Sequence, residues 1–183
     1  MERKKFLQAL AAFPLAGIPS RLFGIAPADS DVCKTQRDAE GPFYKADAPI
    51  RSIIETGGLP LRIEGKVFAA DCKTPVADAV LDIWHCDNNG NYDMRGFKGR
   101  GQVRSDADGR YSFTTIFPPP YGNRPRHIHI KVRAAGEKEL TTQLYFKGDP
   151  NIKNDFARNA EPDRVVALQS ENNLKRGVFN IYL

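Results

Sequence analysis

LRIEGKVF, residues 61–68, decides the fold class. Leu61, Ile63 and Val67 fall on one side of an extended chain and Arg62, Glu64 and Lys66 on the other. That period of two suits a half-buried β-strand and not a helix. Residues 79–85 (AVLDIWH), 111–116 (YSFTTI), 126–134, 139–146 (ELTTQLYF) and 177–183 (GVFNIYL) are also β-rich. Turn signals at Asp71 to Pro75, Asp87 to Asn91 (DNNGN) and Asp106 to Gly109 separate them. Pro118-Pro119-Pro120 cannot join a central ladder and marks a loop. One short helix is predicted near 150–159. Regularly spaced short strands imply an all-β, two-sheet β-sandwich with a short helical segment and long loops, a single domain over residues 29–183.

Composition narrows the function classes. A chain of 183 residues is long enough to bury a real core, and no apolar run is long enough to span a bilayer. Residues 1–28 carry Arg3, Lys4, Lys5 and Arg21 against Glu2. Without them 23 of the 27 basic and 21 of the 22 acidic side chains remain, so the net charge of +5 falls to +2. No basic helix or aromatic-basic motif accompanies that residue of charge, so nucleic acid is not an expected partner. Residues 1–28 themselves have a charged start, an apolar Phe6 to Ile18 and small residues at Ala26-Pro27-Ala28. Arg3-Lys4-Lys5-Phe6-Leu7 is similar to a twin-arginine export signal with lysine as the second basic residue, and the expected destination is periplasmic or secreted. The alternative, a short amphipathic helix, is interrupted by Pro14, Gly17 and Pro19. Three cysteines, Cys33, Cys72 and Cys86, leave at least one unpaired within the chain. If 61–68 and 79–85 form a hairpin, Cys72 lies near its turn and Cys86 at its far end. That disfavours a 72–86 bridge and leaves Cys33 as the partner of either.

The chemistry starts at RPRHIHIKV, residues 124–132, which holds two of the three histidines. Alternation places His127 and His129 on one strand face with Lys131, and Ile128, Ile130 and Val132 on the core face. Side chains at i and i+2 stand roughly 7 Å apart, near enough to converge on one metal ion. Alone, the pair also fits two polar residues on the wet face of a sheet. His85, after Trp84 at a strand end, reads as a satisfied histidine. Tyr92, after the DNNGN turn, and Tyr121, after the triple proline, sit in irregular segments where side chains can be aimed freely. Phenolates are hard donors suited to ferric iron, and a trivalent cation alongside would pull their pKa far below the usual value of about 10.

At this point the sequence becomes recognisable. Glu40-Gly41-Pro42-Phe43-Tyr44, Ala79 to Asp87 (AVLDIWHCD) and Gly90-x-Tyr92 resemble the intradiol ring-cleavage dioxygenases. So do Arg100-Gly101, Thr114-Thr115-Ile116 before Pro118-x-x-Tyr121, Arg124-Pro125-x-His127-Ile128-His129, and Thr142 to Phe146. The resemblance covers about residues 33 to 150. It implies a ferric iron, Fe(3+), held by Tyr92 and His127 as equatorial and Tyr121 and His129 as axial ligands, with a catechol-type substrate and O2 as small-molecule partners. Two phenolates and a hydroxide would neutralise the +3 ion, so the buried site would carry no net charge. The resemblance gives Tyr121 a second role, as a base that leaves the metal with a substrate proton. It makes Arg124 the group that stabilises negative charge on the ring, and Gln143 a contact of substrate or of the ligand shell. By residue type alone, Arg124 would be a surface ion pair and Gln143 a polar strand residue.

Other segments stay open between function and structure. Trp84 and its neighbours are expected to pack and position the strand before Tyr92. Glu40 to Tyr44 fit either a pocket mouth or a packed arm. Arg95, Lys98, Arg100 and Arg104, against Asp93, could draw in an anionic catechol or serve the fold. The chain resembles most the small exported members of the family. It lacks the helical extension that the catechol-cleaving branch uses to dimerise, so assembly is left open, and its shorter loops leave the particular catechol open. Residues 61–82 alone also resemble transthyretin-like binding modules, but such a module has no need of Tyr92, Tyr121, His127 and His129 together. A zinc or copper centre at the histidine pair is a third reading, disfavoured by two tyrosine ligands.

Overall fold

The computed structural model describes residues 33–183. The segment read as an export signal, residues 1–28, lies outside the described residues. In chain order the strands are β1 (Pro60–Phe68), β2 (Val80–Trp84), β3 (Arg100–Arg104), β4 (Arg110–Ile116), β5 (His127–Arg133), β6 (Leu140–Phe146), β7 (Val165–Val166), β8 (Gln169–Glu171), β9 (Leu174–Val178) and β10 (Ile181–Tyr182). One sheet is built around β1, which pairs antiparallel with β4 and parallel with β9 and β10, with β8 outside β9. The other runs β3-β2-β5-β6-β7. The expected all-β sandwich is what forms.

The core is the meeting of the two apolar faces. Leu61, Ile63 and Val67 of β1 and Phe113 of β4 pack with Leu81 and Ile83 of β2 and Ile128, Ile130 and Val132 of β5. Gly65 occupies the inward position between Ile63 and Val67, where a Cβ would lie 1.9 Å from the Phe179 carbonyl. Only glycine admits that close approach.

Two expectations need correction. Residues 61–68 and 79–85 do not form a hairpin, because β1 and β2 belong to different sheets. Alternation reveals each strand's apolar face but not its partner, and here the two faces meet across the interior. No α-helix occupies 150–159. Two 3-10 turns do, Ile152–Asn154 and Phe156–Asn159, broken at Asp155 by an extended backbone (φ −114, ψ 166). Among described residues the one disulfide joins Cys33 to Cys72, Cα atoms 6.1 Å apart, while Cys86 is free and buried. The 72–86 bridge is indeed absent.

Residues 33–55 strap the sandwich and position the site. Asp38 N donates to Thr141 O (2.9 Å) and Thr142 Oγ1 to Gln36 O (2.8 Å), placing the arm against β6. It then crosses the outer face to β3, where Arg51 N donates to Gln102 O (2.9 Å), and reaches β4, where Ile54 N donates to Thr114 O (2.8 Å). The arm therefore closes one open edge between the sheets and covers the outer face of β5. Cys33–Cys72 anchors its start with a sequence separation of 39 residues. Removing that link by Cys72→Ser should cost about 4 kcal/mol at most by loop entropy. Denaturant melts of the two proteins check it, and equal midpoints would contradict the anchoring role.

Candidate metal centre

His127 and His129 do not lie on a wet face. Both are 3% exposed, because β5 is an inner strand whose outer side is roofed by the arm and loops. Their rings stand 4.9 Å apart. His127 Nδ1 donates to the Pro125 carbonyl at 2.7 Å. A carbonyl only accepts, so this fixes the tautomer and leaves the Nε2 lone pair free. That lone pair meets Tyr92 Oη at 3.2 Å. Trp84, beside His129 in the strand register, stacks on its imidazole at 4.8 Å and 10°. The segment expected to position a strand thus also orients a candidate ligand.

Local chain chemistry delivers the tyrosines. Asp87 Oδ1 accepts from Asn89 N (2.8 Å) and Asn91 N (3.0 Å), and Gly90 takes φ +76, folding DNNGN into a tight turn that aims Tyr92 inward. The triple proline carries Tyr121 to the same place, with the two phenol rings 5.4 Å apart at 79°. Phe43 of the arm stacks on Tyr92 at 4.3 Å and sets its edge on Tyr121 at 5.3 Å. Of the two readings of Glu40 to Tyr44, the packed arm is what forms, and it reaches the site through Phe43. A groove of about 790 Å³ lies along β1, β3 and β4, and none of the four rings lines it. The candidate site is therefore marked by converging donors and not by that groove.

Burial sets the protonation states. It pushes His127 down to about 4 and His129 well below its ordinary range, the latter helped by neighbouring His127 and Arg124. Both imidazoles are neutral at pH 7. Burial also pushes the Tyr92 phenol up, with the Cys86 thiol adding to it. Only a strong positive charge alongside would ionise that phenol near neutrality. His129 Nδ1 is buried and, among the described residues, has no hydrogen-bond partner, as expected of a ring whose polar business lies with something other than protein. Among the described residues no three His, Cys, Asp or Glu side chains cluster as a metal site, so a metal here depends on the tyrosines. Two phenols and two neutral imidazoles fit a hard, highly charged ion such as ferric iron better than zinc or copper.

Arg124 and Gln143 also come together. Arg124 Nη2 donates to Gln143 Oε1 (3.2 Å) and to Tyr145 Oη (3.2 Å). Gln143 is 1% exposed, and its amide also donates to Ala39 O (2.8 Å). Gln143 is thus held between Arg124 and the arm. Behind it Tyr145 Oη meets Asp38 Oδ2 (3.0 Å), and Asp38 pairs with Arg164. Sequence reasoning missed Asp38, Asp155 and Arg164, which lie far from the histidines along the chain. Their only signal was charge in segments with no strand pattern.

Three further basic residues, Arg100, Arg126 and Lys131, are held by protein contacts. Arg100 is 1% exposed, its Nε donating to Asp93 O (2.9 Å), so it belongs to the fold and not to a steering surface. Arg126 pairs with Asp149 (3.0 Å), and Lys131 pairs with Glu40 and lies over the Tyr44 ring at 3.8 Å. His85 is satisfied between Cys86 O (2.8 Å) and Thr115 Oγ1 (2.6 Å), as expected. Cys86 is a buried thiol, raised to about 11 by desolvation.

Comparison with known proteins points one way. A family model described as "Dioxygenase" (Dioxygenase_C) matches residues 39–182. Catechol 1,2-dioxygenase 2 of Acinetobacter lwoffii is 37% identical over 164 residues, covering 74% of this chain and 59% of that protein. Among solved structures, the dioxygenase domain of a dioxygenase carbohydrate-binding fusion from Streptomyces sp. SirexAA-E is similar with TM-score 0.77 and 38% identity. It covers 82% of this chain and 98% of that one. Catechol 1,2-dioxygenase from Pseudomonas arvilla C-1 follows with TM-score 0.74 and 28% identity, over 81% of this chain and 62% of that one. The chain thus spans about three fifths of the length of the catechol 1,2-dioxygenases it matches (59% and 62%) and nearly all of the Streptomyces domain.

Proposed function

The chain belongs to the intradiol ring-cleavage dioxygenase family, and from that premise we propose that it opens a catechol-type ring between the two hydroxyl-bearing carbons. The proposed reaction adds both atoms of one O2 to the ring at a mononuclear non-haem ferric iron and yields a muconate-type diacid, with no external reductant. The observation that carries this reading is the convergence of Tyr92, Tyr121, His127 and His129, both imidazoles neutral and the His127 lone pair meeting Tyr92.

Tyr92, Tyr121, His127 and His129 would hold the ion. Bound there, ferric iron would supply a Lewis acid that gathers both catechol oxygens and makes the ring reactive toward O2. The chain's own groups do the rest. Tyr121 Oη takes a proton from one substrate hydroxyl, which its position on an irregular loop allows without disturbing β5. Arg124, tethered beside His127, faces the negative charge that builds on the ring. Phe43 and Trp84 keep water from the tyrosine and imidazole rings. Relatives named for catechol and chlorocatechol support simple and halogenated catechols as first substrates. For location, the Cys33–Cys72 disulfide supports the reading of residues 1–28 as an export signal to an oxidising compartment.

The test is oxygen uptake by the iron-loaded protein across catechols with and without ring carboxylates, with the product identified by mass. The expected result is one O2 consumed per ring opened and a muconate-type diacid. No uptake with any catechol, or an aldehyde from cleavage beside the diol, would overturn the proposal.

A further inference from the structure

We propose that Asp155 is a positioning residue for ring cleavage, holding the Arg124 guanidinium by two hydrogen bonds so that its Nη1 amino group is left for the substrate. This rests on the function proposed above. Arg124 comes from the loop before β5, and a long flexible side chain on a loop loses about 2 kcal/mol of rotamer freedom when fixed. The structure shows what fixes it. Arg124 Nε donates to Asp155 Oδ2 at 3.1 Å and Nη2 to Asp155 Oδ1 at 3.2 Å. Nη2 also reaches Gln143 and Tyr145, and the guanidinium lies over the Phe156 ring at 4.0 Å. Among the described residues Nη1 has no hydrogen bond to the protein. The pair is sheltered, with side-chain exposures of 23% for Arg124 and 11% for Asp155.

The carboxylate is itself held. Asp155 Oδ1 accepts from Ala157 N at 2.9 Å, capping the turn Phe156–Asn159. One short turn therefore presents both the carboxylate under the guanidinium edge and the aromatic ring under its face. A lysine at position 124 could not use this hold, since an ammonium has no planar fork. Asp155 also offsets part of the positive field of Arg124. A purely electrostatic influence would make its neutralisation speed the reaction, whereas a positioning role makes neutralisation slow it.

Asp155→Asn separates the two, because the amide oxygen can still cap Ala157 N while the charged two-point hold is lost. Wild-type protein must first bind iron and turn over a catechol; if it does not, it is the functional reading that has failed. Given turnover, Asp155→Asn should lower kcat per bound iron on the order of 10- to 100-fold, with KM changed by less than about threefold. Iron content and Tm should stay near wild type, and Asp155→Glu should recover part of the loss. In an Arg124→Lys background Asp155→Asn should cost nothing further. An unchanged or higher kcat per iron in Asp155→Asn, or losses in Arg124→Lys and Asp155→Asn that simply multiply, would overturn the assignment. So would a loss of iron or Tm that accounts for the whole loss of activity.

Discussion

His129→Ala is expected to leave a folded protein that neither keeps iron nor turns over. Among the described residues His129 Nδ1 has no hydrogen-bond partner, and its ring sits in a stack with Trp84. Deleting it therefore breaks no polar network and costs packing alone, about 2 kcal/mol for a side chain of that size. Losing a ligand is a larger matter. Changing a residue that merely orients a metal ligand typically costs 10- to 100-fold in affinity, so removing the ligand itself should cost more than about 100-fold. Iron per chain after gel filtration, read beside a thermal melt, checks this. Full iron retention with a near-native Tm would show that His129 is not a ligand.

Tyr121→Phe should produce the opposite dissociation, with metal kept and turnover lost. Tyr121 is the donor proposed to leave the metal as substrate binds, so hydroxide or substrate can take its place. His127 and Tyr92 still provide a pair at 3.2 Å. The phenylalanine ring preserves the edge contacts with Tyr92 and Phe43. What disappears is the Oη proposed to take a substrate proton. A positioned general base contributes about 10²- to 10⁴-fold, so kcat should fall by at least about 100-fold while iron content changes little. Steady-state kinetics on iron-quantified samples decide it. Iron lost in proportion to activity would reduce Tyr121 to a ligand only, and unchanged kcat would remove it from the reaction.

How much of this was legible in the sequence depends on the range of each interaction. The faces of β1 and β5 follow from alternation alone, and Ile128, Ile130 and Val132 do enter the core. The partners of those strands do not follow, since β1 finds β4, β9 and β10, and β2 finds β3 and β5, through long-range pairing. β3 was missed because RGQVR offers only Gly101 and Val103 to the interior, too little apolar signal to count as a strand. The two-residue strand β7 carries no readable period, whereas the predicted strand 177–183 forms as the end of β9 and the short β10. At the site, Tyr92, Tyr121, His127 and His129 were found because a family pattern ties them together, and the structure brings all four into contact range. The hold on Arg124 was not found. Asp155 lies 31 residues beyond it, on a turn with neither a helical nor a strand period. The burial of His127 and His129 was equally hidden, because what covers them is an arm that starts some ninety residues earlier in the chain, at Cys33 and Gln36.

That Tyr92, Tyr121, His127 and His129 together hold one ferric ion is our proposal. Its most direct test is a visible-absorption titration of the metal-free protein with ferric iron. The expected result is a phenolate-to-iron charge-transfer band that grows linearly, saturates near about one iron per chain and fails to form in Tyr92→Phe/Tyr121→Phe protein. A protein that stays colourless and binds no iron after reconstitution, or whose colour survives in the double variant, would contradict it.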